Sequence, residues 1–216
     1  MKNPIKTNCE GRWIPPWQDS REFISIMEHI NGISLVDHDR CWHLFGFAKM
    51  VEALDGEMAE FGVYRGGTAY LLSKTVPQTR LHLFDTFAGL PDADPAIDYH
   101  EAGEFSASVE DTIRFLNGLN VCAHVGVFPE STSGLEDAKF KFVHVDCDVY
   151  RSVADACMFF YPRMVRGGIM VFDDYNWSLC RGVKKAVREF FSEKVEFPVA
   201  LMGGQGIVIK QCEELK

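Results

Sequence analysis

From residue 56 onward, short apolar runs alternate with stretches of helical periodicity, and few architectures accommodate that order. "EMAEFGVY" (57–64), "RLHLFDTF" (80–87), "NVCAHVGVF" (120–128), "KFVHVD" (141–146) and "GGIMVFDD" (167–174) read as strands, and "FPVALMG" and "GIVIK" around "GGQG" read as a closing pair. Between them, "GGTAYLLSKTV" (66–76), "SVEDTIRFLNGL" (108–119), "VADACMFFYPRM" (153–164) and "GVKKAVREFFSE" (182–193) carry helical spacing. Ser108 and Asp111 are placed for a capping box, and Pro162 interrupts the third of these helices. Strands that are apolar throughout, instead of alternating, are buried on both faces. The expected fold is therefore α/β: a doubly wound, mostly parallel seven-stranded sheet with helices on both faces.

Residues 1–55 read as an N-terminal arm and helices packing on this core, and 56–216 as the α/β body, within a single domain overall. Residues 1 to about 20 hold Pro4, Gly11, Pro15 and Pro16 with Trp13 and Trp17, an irregular composition suited to packing on the body or on a second copy in a homo-oligomer. Helices are expected at 20–31 and 39–54, with Ser20 and Asp39 as caps. A net charge of -9 with no offsetting Lys/Arg cluster argues against nucleic acid and anionic membrane as partners. No apolar stretch reaches the roughly 18 residues of a membrane span and no signal-peptide core is visible, so a cytoplasmic location is expected. The 7 cysteines show no CxxC spacing, which suggests neither a disulfide framework nor a thiolate zinc site, and small core residues are the expected role for most.

Functional residues gather where strands end. In open parallel sheets, ligands bind outside the carboxyl ends of the strands at a topological switch point. "FVHVDCDVY" runs an apolar strand into Asp146 and Asp148, and "GGIMVFDDY" repeats the pattern into Asp173 and Asp174. "EFGVYRGGT" places Gly62, Gly66 and Gly67 between the first strand and its helix, where backbone N–H groups and a helix N-terminus meet an anionic group and Thr68 adds a hydroxyl. The dinucleotide fingerprint needs glycine at position 64, where this chain has Tyr64. Asp85, ending the second strand, is placed to accept both hydroxyls of a nucleoside's ribose. Taken one at a time, the glycines also suit a tight turn, and the acids suit caps.

"GEMAEFGVYRGGTAYLLSK", "LFDTFAGLP", "YHEAGEFSAS", "FVHVDCDVYRSV" and "GGIMVFDDY" together resemble the macrocin O-methyltransferase family, from about Arg40 to Phe191. These are class I S-adenosylmethionine-dependent enzymes that methylate sugar hydroxyls of natural products; catechol O-methyltransferases are more distantly similar. The resemblance implies that Glu60, Gly62, Tyr64, Gly66 and Thr68 hold the methionine end of S-adenosylmethionine and Asp85 its ribose. It further implies that Asp146 is a metal ligand and the catalytic base, and that Asp173 and Asp174 complete the metal site. The acceptor implied is a small molecule containing a sugar.

Elementary chemistry points the same way. An alkyl hydroxyl has a pKa of about 15.7 and an unperturbed Asp about 3.9, a gap of roughly 16 kcal/mol for full proton transfer. A divalent cation closes much of it, and three carboxylates, Asp146, Asp173 and Asp174, converge if their strands are neighbours. An oxygen-only set suits Mg²⁺. Asp148 reads equally as support for that site or as a helix cap. The irregular segment 88–107 is long enough to be a lid. No His pair has tight ligand spacing, so His38, His43, His100, His124 and His144 read as structural, with His100 the best candidate for a substrate contact. Trp13, Trp17 and Trp177 suit stacking on a sugar or packing. Two other readings share the fold, a nucleotide-dependent oxidoreductase and a non-catalytic binding protein; the first lacks the glycine spacing, and intact Asp146, Asp173 and Asp174 count against the second.

Overall fold

A computed structural model describes residues 14–91 and 93–212; Pro4, Gly11 and Trp13 of the expected arm lie outside the described residues. In chain order the elements are α1 (Arg21–His29), α2 (His38–Met50), β1 (Glu57–Phe61), α3 (Gly67–Thr75), β2 (Leu81–Asp85), α4 (Val109–Phe115), β3 (Val121–Val125), β4 (Phe140–Val145), α5 (Tyr150–Phe160), β5 (Met164–Phe172), α6 (Arg181–Phe191), β6 (Val199–Ala200) and β7 (Gly206–Ile209). One seven-stranded sheet runs β3-β2-β1-β4-β5-β7-β6. β1 to β5 pair in parallel, while β7 is antiparallel to β5 and β6. The chain winds outward from β1 to β3, then restarts on the other side at β4. The switch point therefore lies between β1 and β4.

Alternate residues of each strand serve opposite faces. Met58, Leu83, Phe142 and Ile169 meet α1, α2 and α3 through Phe23, Leu44, Leu71 and Leu72. Ala59, Phe84, Val143 and Phe172 meet α5 and α6 through Val153, Phe160, Val187 and Phe191. Each fully buried side chain of this size contributes about 1.5 to 3 kcal/mol, so α1 and α2 belong to the same core as the sheet. Among the described residues, no helix is long and apolar enough to cross a membrane.

Several boundaries differ from expectation for local reasons. Ser20 caps α1, accepting from the Phe23 N–H at 3.3 Å. α2 starts earlier than expected: Asp37, in extended backbone, is its N-cap, and Asp39 sits in the first turn. Ser108 accepts from the Asp111 N–H at 3.1 Å, but the Asp111 carboxylate takes Arg114 at 2.6 Å instead of closing the box. Pro162 ends α5 by turning it into a short 3-10 segment, Tyr161–Arg163.

The two strand ends at the switch point touch. The Asp146 N–H donates to the Phe61 carbonyl at 2.8 Å, and a Cβ on Gly62, whose φ is +92°, would lie 1.8 Å from the Asp146 carbonyl oxygen. Gly62→Ala is expected to cost about 3 kcal/mol or more, because the obstacle is backbone. Gly118→Ala, at a similar positive φ with nothing within 4 Å of the built Cβ, should cost about 1 kcal/mol. Denaturant unfolding of both variants checks this; equal losses would remove the contact as a constraint.

Candidate active site

A cavity of about 560 Å³ opens outside the carboxyl ends of β1, β2, β4 and β5. Gly62, Tyr64, Thr68, Asp85, Asp146, Asp173 and Asp174 all line it, as do Asp148, Arg40 and Trp177. Two residues expected to hold the cofactor, Glu60 and Gly66, are not among those lining this cavity. Glu60 is fully buried within β1, its Oε1 paired with His144 Nδ1 at 2.9 Å and its Oε2 without a hydrogen-bond partner. Gly66, with a φ of +84°, is the N-cap of α3, where a Cβ would press on Leu116 and Thr112 at 3.2 Å. Their part in the site is indirect: one supports its floor, the other opens its helix.

The glycine loop is tied down by Asp85. Its Oδ2 accepts from the Val63 and Tyr64 N–H groups at 2.7 and 2.9 Å, and its Oδ1 from the Phe87 N–H at 2.7 Å. Two carboxylate oxygens offer about four lone-pair directions, so one remains. The carboxylate expected to receive the ribose hydroxyls thus also shapes the loop beside it. The first turn of α3 carries no acidic residue and presents its N–H groups beside Thr68 at the cavity wall.

The acids divide into two sets. Asp146, Asp148 and Asp174 each offer a carboxylate oxygen within 4.8 Å of the others. Asp173, expected with Asp146 and Asp174, forms a second such group with Asp146 and His144, and it is also paired within the protein. Its Oδ2 accepts from Arg40 Nη1 at 2.5 Å, and its Oδ1 accepts from Gln205 Nε2 at 2.7 Å and faces His144 Nε2 at 3.4 Å. Arg40 Nη1 also reaches Asp174 at 3.0 Å, and Arg40 Nε donates to the Gly203 carbonyl at 2.8 Å. Burial would raise Asp173, but the hydrogen bond and charge of His144, then Arg40, hold it below the usual carboxylate range. Burial likewise opposes charge on His144, yet Asp173 and Glu60 carry it up to about 10. Burial and then the Asp173 charge push Asp146 well above its ordinary value. Five carboxylates, counting Glu60, stand against two cations, Arg40 and His144. Such an excess of clustered acid fits a hard divalent cation on the Asp146, Asp148 and Asp174 side.

Asp148 is more than a cap. Val149, not Asp148, is the N-cap of α5, and the Val149 N–H closes a three-residue turn onto the Cys147 carbonyl at 2.6 Å. Asp148 occupies the centre of that turn at a φ of +56°. Burial, then Asp174, raises its carboxyl to about 7. Tyr64 and Phe105, at φ of +51° and +59°, share this left-handed strain and also line the cavity. The cap that α5 lacks comes from the long segment: Asp98 Oδ1 accepts from the Tyr150 N–H at 2.9 Å and packs where Gly182 has no Cβ. This anchor sets His100 and Phe105 at the cavity rim. Trp177 is half exposed at the mouth with Arg40 over its ring at 5.1 Å, whereas Trp17 packs against Phe23.

This fold and strand-end site define an O-methyltransferase architecture. The solved O-methyltransferase NovP superposes with a TM-score of 0.69 at 22% identity, covering 83% of this chain and 82% of that one. TomG from Streptomyces achromogenes, solved in complex with S-adenosylmethionine, superposes at 0.63 and 14% identity over 90% and 92% of the two chains. Residues 31–210 match the family model described as macrocin-O-methyltransferase (TylF), and the chain belongs to that family, whose members are S-adenosylmethionine-dependent O-methyltransferases. A Streptomyces olivaceus tetracenomycin-C rhamnosyl 4'-O-methyltransferase is 23% identical over 73% of this chain. The chain spans 67% of that relative's length, and 60% and 61% of two other curated relatives.

Arg40→Leu would leave Asp173 and Asp174 without their shared cation and is expected to cost about 3 to 5 kcal/mol. Adding Asp173→Asn should recover part of that loss, since it removes one of the stranded charges. Urea unfolding of the single and double variants measures both; a loss under about 1 kcal/mol for Arg40→Leu would contradict the pairing.

Proposed function

We propose that this chain transfers the methyl group of S-adenosylmethionine to a hydroxyl of a sugar-containing small molecule, assisted by Mg²⁺. One observation carries the reading: the Asp85-tied glycine loop and the Asp146, Asp148 and Asp174 carboxylates face each other across a single cavity. S-adenosylmethionine bound there supplies an electrophilic methyl on a sulfonium, and Mg²⁺ supplies the Lewis acidity that brings an alkyl hydroxyl within a carboxylate's reach.

The chain's own residues divide the remaining work. The N–H groups opening α3, with Thr68, receive the cofactor's carboxylate, and the free lone pair of Asp85 receives a ribose hydroxyl. Asp146, Asp173 and Asp174 are the carboxylates that would hold the cation, and Asp146 also takes the hydroxyl proton. Asp148, with an oxygen within 4.8 Å of those of Asp146 and Asp174, supports that site. Asp173 also keeps Arg40 and His144 in position behind them. The rim residues His100, Phe105 and Trp177 orient the acceptor and exclude water, which positions the attacking oxygen in line with the methyl. The family match and the relatives that act on rhamnosyl and other glycosylated natural products support a sugar hydroxyl as acceptor.

The test is transfer of isotope-labelled methyl from S-adenosylmethionine to a panel of glycosylated acceptors. Activity should vanish in EDTA and return with Mg²⁺. Asp146→Asn should lower the rate about 10²- to 10⁴-fold while leaving cofactor binding intact. Undiminished transfer in EDTA, or by Asp146→Asn, would contradict the assigned roles.

A further inference from the structure

A second constellation lies on the sheet edge and contributes nothing to the cavity lining. His82 on β2 pairs in register with Cys122 on β3, and His124 follows two residues on, facing the same side. His82 Nδ1 lies 2.8 Å from His124 Nε2, while His82 Nε2 lies 2.8 Å from Glu57 Oε2 on β1. One donor atom from each of His82, Cys122 and His124 falls within 4.8 Å of the other two. His82 is buried, whereas Cys122 and His124 on the edge strand are reachable from solvent.

The hydrogen bonds dictate the proton positions. A carboxylate oxygen accepts, so His82 Nε2 carries a hydrogen and donates it to Glu57. That leaves His82 Nδ1 and His124 Nε2 facing each other over one shared proton. An imidazole whose outer N–H is held by a carboxylate is the usual arrangement of a metal-bound histidine. Two imidazoles and a thiol make a borderline-soft set, matched to Zn²⁺ and foreign to Mg²⁺.

We propose that His82, His124 and Cys122 form a Zn²⁺ site on the β2–β3 edge, with Glu57 orienting His82 and water completing the coordination. The cation replaces the proton shared by the two imidazoles and the thiol proton. It binds β3 to β2 just before the chain enters Gly126, whose N–H donates to the Asp85 carbonyl at 3.0 Å, and then Val127 and Phe128 of the cavity wall. The site thus braces the side of the cavity that carries Asp85.

Co²⁺, a spectroscopic substitute for Zn²⁺, tests this on the full chain. Wild type should bind one equivalent with thiolate-to-cobalt charge-transfer absorption, displaced by Zn²⁺, and Zn²⁺ should raise the melting temperature. Cys122→Ser should lose the absorption, His124→Ala should weaken binding at least tenfold, and Glu57→Gln should weaken it about 10- to 100-fold. Cys212→Ser, which removes the exposed cysteine, and Asp174→Asn should leave the absorption unchanged. Absence of the band in wild type, or its survival in Cys122→Ser, would overturn the site and leave the histidines as a hydrogen-bonded chain.

Discussion

The contact between Gly62 and the Asp146 carbonyl governs the geometry of everything above the sheet. β1 and β4 are neighbours that leave the sheet in opposite directions, so a crevice must open between them. No side chain fits at Gly62, and the two strand ends close to backbone contact. The glycine loop then rises on one wall and the acidic turn on the other. Asp85 fixes the first wall by holding the Val63 and Tyr64 amides, and Asp98 fixes the second by capping α5 from the long segment.

Charge balance separates structural acid from working acid. Asp173 pairs with Arg40, Gln205 and His144, and Glu60 pairs with His144, so these two stabilise the floor. Asp146, Asp148, Asp173 and Asp174 line the cavity with Arg40 and His144 as their cations, an excess of acid that is costly in an empty protein and suited to a divalent cation. Tyr64, Phe105 and Asp148 adopt left-handed conformations at the cavity, and Phe87 does so in the core beneath the segment that follows Asp85. Such conformations persist only where surrounding structure holds them, which is the character of a preorganised site.

The architecture was legible because each strand carries its own signal. Apolar runs ending in Asp85, Asp146 and Asp173 placed the strands, and their acidic ends placed the crevice. What was not legible depends on partners far apart in sequence. Arg40 lies 133 residues from Asp173, and nothing near it marks a buried cation, so the pairing behind Asp173 could not be read. Asp148 stayed open between site support and a helix cap because its left-handed turn is set by packing, not by residue type. The amide load on Asp85 likewise arises only once the loop folds over it. His124 read as structural, and Cys122 was grouped with the core cysteines, since the third member of their cluster, His82, arrives through strand pairing and not through local spacing.

The proposed methyl transfer requires the cofactor to occupy the switch-point cavity in one orientation. A crystal structure with bound S-adenosylhomocysteine tests that directly. The amino-acid end should lie against the N-terminus of α3 beside Thr68, with a ribose hydroxyl on the remaining lone pair of Asp85 and the sulfur directed toward Asp146 and Asp148. Density for the nucleoside outside this cavity, or a reversed ligand with its ribose against the acidic cluster, would contradict it.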